Sequence, residues 1–413
     1  MIDRTFDVAI GGAGPVGLML AAALAEQGAR VAVFEAGPPP QWSPEHPDIR
    51  ISSLTPASRR MLERVGVWPA IAERRLGPFE AIHAWDAGGA RLRFHAADLE
   101  QPALGYLVEH SLLQTMLDQR LHAHWGGSVL CRYDCRIDEA RTEPSRCRLR
   151  LGDGGTARAR LLVAADGAGS ALRQQMGIGV SGRSYGQHGL VATVRPSKSH
   201  GRIARQRFMP GGPLALLPVQ DDLCSIVWSL PDEEAKRLQS LDDTAFLAAL
   251  TDASEAVLGP IRETGPRHLF PLRSQQADSY VAPRFALVGD AAHVIHPLAG
   301  QGVNLGLLDA AALAQVVGEA LQEGVDPGAY PQLRRYARWR RSDNLPVQWL
   351  MDGFHWLFSN SDPVRQLARN LGFLATERLP PAKRLFTALA LHSGAHLPRL
   401  ASEKIRTPTQ ARE

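Results

Sequence analysis

Cysteine is scarce in this sequence. Four occur in 413 residues, Cys131, Cys135, Cys147 and Cys224, and none forms a C-x-x-C pair. Zinc is therefore not expected, a disulfide framework is not indicated, and no bound metal is expected. No uninterrupted apolar run reaches the ~18 residues that a membrane span requires. No basic and apolar leader with small residues opens the chain, which points to a cytoplasmic protein. Internal repeats and low-complexity tracts are absent, and Gly37-Pro38-Pro39-Pro40 is the only proline-rich piece. No nucleic-acid partner is expected.

What is present is ordinary for a globular protein: 45% hydrophobic and 21% charged residues, in a chain long enough for two domains. The net charge of +4 hides an asymmetry. Residues 331–413 hold 14 Lys/Arg against 6 Asp/Glu, a net of +8, so the remaining residues carry −4. The positive charge belongs to the C-terminal segment.

Three stretches carry chemistry. The first opens with a short buried strand, Phe6-Asp7-Val8-Ala9-Ile10. Gly12-Ala13-Gly14-Pro15-Val16-Gly17 follows, then helix formers from Leu18 to Gln27, a stop at Gly28, and a second strand closed by Glu35. Strand, G-x-G-x-x-G, helix, strand and acid within about 30 residues form a dinucleotide-binding βαβ unit. Gly12 permits the tight turn, Gly14 lets a pyrophosphate approach the backbone, and Gly17 lets helix and strand pack. Pro15 lies in the same loop. Glu35 is placed to accept from an unphosphorylated ribose, as in FAD or NAD. Arg50 precedes a helix from Pro56 to about Val65 and can reach the pyrophosphate.

The second stretch is another buried strand, Leu161-Leu162-Val163-Ala164-Ala165, which follows a meander of Val129–Tyr133, Cys147–Leu151 and Ala157–Arg160. It ends in Asp166-Gly167-Ala168-Gly169-Ser170, where Ser170 can cap a short helix. Asp166 reads as either a turn residue or part of a cofactor pocket. Between residues 187 and 230 the rhythm changes to His188–Val194, Arg202–Met209, Leu214–Val219 and Leu223–Leu230, an antiparallel sheet without βαβ units. His268–Arg273 adds a further strand.

The third stretch runs from Phe285 to Asp309. A short strand breaks at Gly289-Asp290, passes a loop with Pro297 and Gly300, and becomes helical. Apolar residues then recur at Leu305, Leu308, Ala312, Val316 and Ala320, a helix period that Gly324 ends. The helix start spans Gly300, Gln301, Gly302, Val303 and Asn304. Such a terminus offers unpaired N–H groups and about half a positive charge. Asp290 can hold hydroxyls and the helix end can hold a delocalised anion. A reduced flavin with its ribityl chain needs both.

The expected architecture is α/β: a discontinuous Rossmann-like FAD-binding domain (1–80, 105–183 and 276–330), an inserted antiparallel-sheet substrate domain (81–104 and 184–275), and a C-terminal basic helical segment (331–413). In that segment Tyr330–Asp343 reads as a helix whose Arg334, Arg335, Arg338, Arg340 and Arg341 form a solvated basic face. Aromatics at Trp349, Phe354, Trp356 and Phe358 follow it. The sharper alternative is a surface for acidic lipid.

Taken together, the glycine motif at 12–17, Asp166-Gly167 with Ser170 and Arg173, and Gly289-Asp290 resemble the FAD-dependent aromatic-ring hydroxylases of the p-hydroxybenzoate hydroxylase fold. Within that family the sequence is most similar to the ubiquinone-biosynthesis ring hydroxylases. The likeness lies in His296-Pro297-Leu298-Ala299-Gly300-Gln301-Gly302-Val303-Asn304, Gly212–Pro218, Leu357-Phe358-Ser359-Asn360 and Gly394–Pro398. Ile10-Gly11-Gly12 and Gly169 before Ser170 depart slightly from the family pattern. The resemblance implies FAD as cofactor, NAD(P)H as a transient reductant, O2 as co-substrate, and hydroxylation of an electron-rich ring. It places His296 and Pro297 at the edge of the flavin ring, with His296 as the candidate for proton transfer. No second nucleotide fingerprint is visible.

The loop His296–Gly306 contains no arginine or lysine to clamp a substrate carboxylate. Together with that absence, the resemblance implies a hydrophobic phenol, a prenylated quinone precursor, as substrate, with a membrane surface or a quinone-synthesis complex as partner at the inner membrane. The rivals are a hydroxylase of a soluble aromatic acid or secondary metabolite, a flavin reductase or oxidase, and a non-catalytic flavin-binding component of such a complex. A halogenase is disfavoured, since no W-x-W-x-I-P stretch occurs.

Overall fold

The computed structural model describes residues 5–45, 47–86, 89, 91–295, 302–358 and 396–403. Its first sheet has the order β18 (Val281–Ala282), β19 (Phe285–Leu287), β11 (Thr156–Ala164), β1 (Thr5–Gly11), β2 (Val31–Phe34), β8 (Val129–Arg132). From β19 to β8 every pairing is parallel. Val8, Ala9, Ile10, Leu161, Leu162 and Val163 are wholly buried, because helices and loops cover both faces. That is why these strands read as apolar runs and not as alternations.

β9 (Ile137–Thr142) and β10 (Cys147–Leu151) attach antiparallel to the start of β11. The sequence splits this region into Ala157–Arg160 and Leu161–Ala165, but it is one strand. Its first half alternates against β10, and its second half is buried on both sides. A change of environment, not a break in the chain, made it look like two.

Helix α1 (Pro15–Ala25) packs between α4 (His110–Trp125) and α8 (Gly302–Gln322). Proline at N1 and a run of small and straight-chain residues suit it to a buried helix. Gly318 on α8 lets the pair approach: a Cβ there would lie 1.5 Å from Gln27 Oε1. Gln27 uses that closeness to donate to the Ala314 carbonyl at 2.9 Å. α8 is also long and apolar enough, by length and composition, to cross a bilayer. In the fold 83% of that stretch is buried, so it serves as a core helix.

The second sheet has the order β20 (His293–Val294), β17 (His268–Ala277), β12 (Val180–Pro196), β15 (Cys224–Pro231), β14 (Leu214–Pro218), β13 (Ile203–Phe208), β5 (Ala81–Asp86), β6 (Arg91–His95), with β16 (Ile261–Thr264) on β12. It is antiparallel except where β13 meets β5. The sheet extends beyond the expected 184–275 at both ends, from Val180 to Ala277, and the chain returns to it at β20. One face is covered by α6 (Asp232–Ser240) and α7 (Asp243–Ala253), which bury Leu190, Leu216, Ile226, Phe246 and Leu250. The other meets a small sheet of β3 (Ile51–Leu54), β7 (Gly105–Glu109) and β4 (Gly77–Phe79) through Phe79, Leu104, Leu107 and Ala204. α2 (Pro56–Arg64), capped by Thr55, and α3 (Trp68–Ala72) follow β3, α5 (Ala171–Gln175) follows β11, and α9 (Tyr330–Phe358) leaves α8 through a short turn.

Candidate active site

The C-terminal ends of β1, β11 and β19 converge on one edge of the parallel sheet, where α/β folds bind their ligands. The glycine motif leaves β1 there. Gly12 has φ +108° and its N–H bonds the Phe34 carbonyl at 2.8 Å; an added Cβ would lie 2.4 Å from the Ala165 carbonyl oxygen. Gly17 would bring a Cβ to 2.1 Å from the Gly12 oxygen. These two glycines serve packing. Gly14 faces open space, with nothing within 4 Å of a built Cβ. It is the position at which a ligand can approach the backbone.

Glu35 follows β2 and its carboxylate spans two loops, accepting from Ala13 N at 2.7 Å and Gly37 N at 2.9 Å. It is thus held beside the glycine loop. Arg50 is exposed just before β3, its carbonyl accepting from His110 N at 2.9 Å. Burial first, and the Arg50 charge second, hold the His110 ring down at about 4.

The DG turn and the GD turn are tied together. Ser170 caps α5 by accepting from Arg173 N at 3.0 Å, as the sequence suggested. Asp166 Oδ2 accepts from Leu172 N at 3.2 Å, while its Oδ1 is buried without a partner. The Arg173 side chain is buried, donating to the Ala168 carbonyl at 3.0 Å and to the Ala291 carbonyl at 2.8 Å. The glycine motif joins the same cluster through Val16, whose methyls lie 3.3 Å from a Cβ built on Gly289 and 2.6 Å from one on Gly306.

Asp290 is exposed, yet desolvation by the surrounding protein raises its carboxyl above the usual range. His293 and Arg273 oppose that rise and Asp309 adds to it. No hydrogen bond to Asp290 is found among the described residues.

At the start of α8, Gly302 also faces open space. Asn304 is 1% exposed, and its side chain is engaged elsewhere: Oδ1 accepts from Thr55 N at 2.9 Å and Ser58 Oγ at 2.7 Å, and Nδ2 donates to the Ser53 carbonyl at 2.7 Å. It pins the helix start to the β3–α2 corner. What Gly302, Val303 and Asn304 can offer a ligand is their first-turn N–H groups. His296, Pro297, Gly300 and Gln301 lie outside the described residues.

Behind the GD turn sits a cluster that the sequence did not reveal. Asp309 on α8 is fully buried. Its Oδ2 accepts from His293 Nε2 at 2.6 Å and Gly289 N at 3.1 Å; its Oδ1 accepts from Arg340 Nε at 2.8 Å and Asn344 Nδ2 at 3.3 Å. Burial pushes its carboxyl up, but His293 and Arg340 outweigh that and leave it at about 2. An ionised carboxylate only accepts, so His293 carries its proton on Nε2. Arg340 was expected on a solvated face with its neighbours. It is 1% exposed and also reaches Asp343 at 2.9 Å and Asn344 at 2.7 Å. Arg334, Arg335, Arg338 and Arg341 are exposed as expected.

One group of ligand-type atoms, on Asp118, His122 and Cys131, lies within 4.8 Å of one another. Asp118 is already bonded by the Tyr133 hydroxyl, and burial pushes the Cys131 thiol up to about 12. That disfavours the thiolate a metal would need.

The profile of the family described as FAD binding domain matches residues 5–341. The chain belongs to that family. It is 38% identical over 392 residues to 3-demethoxyubiquinol 3-hydroxylase of Escherichia coli, covering 95% of this chain and all of that one. It is 39% identical over 402 residues to ubiquinone hydroxylase UbiL of Rhodospirillum rubrum, covering 96% and 93%. Among solved structures, p-nitrophenol 4-monooxygenase PnpA from Pseudomonas putida superposes with a TM-score of 0.77 at 20% identity, over 94% of this chain and 98% of that one. This last likeness is one of fold. The chain is therefore an FAD-binding-family protein whose relatives are flavin-dependent monooxygenases, and the geometry fits the cofactor. Gly14 and Gly302 leave the backbone open where a ligand would approach, and Asp290 is exposed with no hydrogen bond among the described residues.

Proposed function

We propose that this chain is an FAD-dependent monooxygenase that hydroxylates the ring of a prenylated phenol on the route to ubiquinone. The observation that carries the reading is the full-length likeness to 3-demethoxyubiquinol 3-hydroxylase. The placement of the residues supports the following roles. Glu35 takes the adenosine ribose, and the backbone at Gly12–Gly17 takes the pyrophosphate with Arg50 beside it. Asp290 takes the ribityl hydroxyls, and Asp166 completes the pocket with its free oxygen. The first-turn N–H groups of α8 supply the positive end that a reduced, anionic ring requires.

Bound FAD would supply the redox chemistry, with NAD(P)H as reductant and O2 as oxidant. The chain contributes orientation and electrostatics. Arg173, by tying Ala168 to Ala291, fixes the two turns that flank the cofactor. Asp309 and His293 hold the turn that bears Asp290. A phenol is electron-rich and needs no strong base, in keeping with the absence of any other candidate base beside His296. The substrate's tail fits work at a lipid surface, where the exposed arginines of α9 face anionic headgroups.

The test compares a prenylphenol with p-hydroxybenzoate, measuring hydroxylated product per NAD(P)H consumed. Tight coupling with the prenylphenol is expected. Coupling with p-hydroxybenzoate alone would replace this reading with a soluble-acid hydroxylase.

A further inference from the structure

On the second sheet, three adjacent strands line up cations on one face. Register places Arg93 of β6 opposite His83 of β5, and His83 opposite Arg205 of β13. The next row is Arg91, Trp85 and Arg207. In each row a residue that is uncharged near neutral pH, His83 or Trp85, stands between two arginines, so four guanidinium groups share one face. Glu255, just past α7, answers one of them: it bonds Arg207 at 2.7 Å and the Trp85 indole at 2.9 Å. Arg91, Arg93 and Arg205 have no acidic partner among the described residues. Arg205 bonds only the His200 and Ile203 carbonyls, at 2.7 and 3.2 Å.

His83, Trp85, Arg91, Arg93, Arg205 and Glu255 line a cavity of about 250 Å³ together with Val257. His83 Nε2 is buried there without a partner. The groups facing His83 are Arg93, His95 and Arg91 from β6, Arg205 and Arg207 from β13, and Glu255 from the end of α7. The His95 ring stands edge-on at 5.7 Å. Burial first, then Arg93, Arg205 and His95, hold His83 down at about 4. The cavity lies on the α7 side of the sheet, the face turned away from the small sheet of β3, β4 and β7.

We propose that this cationic floor binds a phosphate-bearing ligand, its anion over Arg93, His83 and Arg205 and its apolar part against Trp85 and Val257. A phosphate offers several acceptor oxygens to forked guanidinium donors. It also compensates the guanidinium charges gathered on that face. Two sources present this chemistry, a free phosphate compound and a phospholipid headgroup. An anion in place favours the charged imidazole, so binding takes up a proton at His83 and tightens as the pH falls from 8 to 6.

The test uses the full-length, FAD-loaded protein. Calorimetric titration with inorganic pyrophosphate, and co-sedimentation with phosphatidylglycerol vesicles, are run on the parent and on Arg91→Ser/Arg93→Ser. Both positions are exposed, so FAD content and melting temperature are expected to hold. Binding weakened at least tenfold in the double variant supports the site. Pyrophosphate binding assigns a soluble ligand, and vesicle binding without it assigns a headgroup. Proton uptake at pH 6 that vanishes in His83→Gln confirms where the anion sits. No binding to either probe, or equal binding by the double variant, overturns the proposal.

Discussion

Arg340 donates from Nε to Asp309 Oδ1 at 2.8 Å, and neither side chain is more than 1% exposed. The same carboxylate receives Gly289 N and His293 Nε2. A single buried charge therefore links α9, α8 and the turn that bears Asp290. Removing one partner of a buried ion pair leaves an uncompensated charge and costs roughly 3–5 kcal/mol. Arg340→Met is expected to lose that much stability in urea unfolding and to release its flavin. Arg340→Lys keeps the charge but not the fork to Asp343 and Asn344, and should fall between. An unchanged midpoint for Arg340→Met would show that the cluster contributes no stability.

Asp290 separates affinity from folding. Its carboxylate has no described partner, so Asp290→Ala should leave the apoprotein's melting temperature in place. A charge-assisted hydrogen bond is worth ~1.5–3 kcal/mol, so the FAD dissociation constant should rise roughly 10- to 150-fold. Fluorescence titration with FAD reads this directly. Equal affinity would make Asp290 a turn residue only.

Two glycines of one motif should respond oppositely. Gly14 has φ −67° and open space at its Cβ position, so Gly14→Ala should fold normally and bind FAD poorly. At Gly17 the added methyl meets the Gly12 oxygen at 2.1 Å. Gly17→Ala should lower the melting temperature of the apoprotein itself. Circular dichroism melts without FAD, set beside FAD titrations, distinguish the two. Matching behaviour would contradict the division of labour.

The half-buried His110 contributes to the acid limb of stability. Its folded pKa of about 4 lies below the ordinary 6.5. The unfolded chain therefore binds the proton first as pH falls. The contribution is fully present above pH 6.5 and is lost between 6.5 and 4, by as much as about 3 kcal/mol. Unfolding free energies at pH 7.5 and 4.5 should differ less in His110→Gln than in the parent. An identical difference would place the acid sensitivity elsewhere.

What the sequence made legible was local. Gly12, Gly14, Gly17 and Glu35 sit within one βαβ unit, and their spacing follows from the turn they build. Ser170 and Gly324 act at helix ends through nearest neighbours. The Asp309–Arg340 pair was hidden because 31 residues separate it and Arg340 lies in a run of five arginines. A signal existed: Leu333, Tyr336, Arg340 and Asn344 recur at helix spacing and share one buried face. An arginine on an apolar stripe calls for a buried acid, and Asp309, set among the apolar residues Leu305 to Ala314, is the matching half. Asn304 was legible only in part. Its place at the helix start suits a ligand, but its amide is spent on Ser53, Thr55 and Ser58.

The pairing of His293 and Val294 with Gln276 and Gln275 makes the segment after Asp290 a strand of the second sheet. Two residues, Ala291 and Ala292, separate the carboxylate proposed for the cofactor from a ladder of the sheet proposed for the substrate. The two halves of the molecule are stitched, not merely apposed. A chimera that imports the second sheet from another family member must therefore bring residues 293–294 with it. Grafted without them, the foreign sheet would end on an unpaired edge, and the cofactor turn would lose the strand that holds it in line.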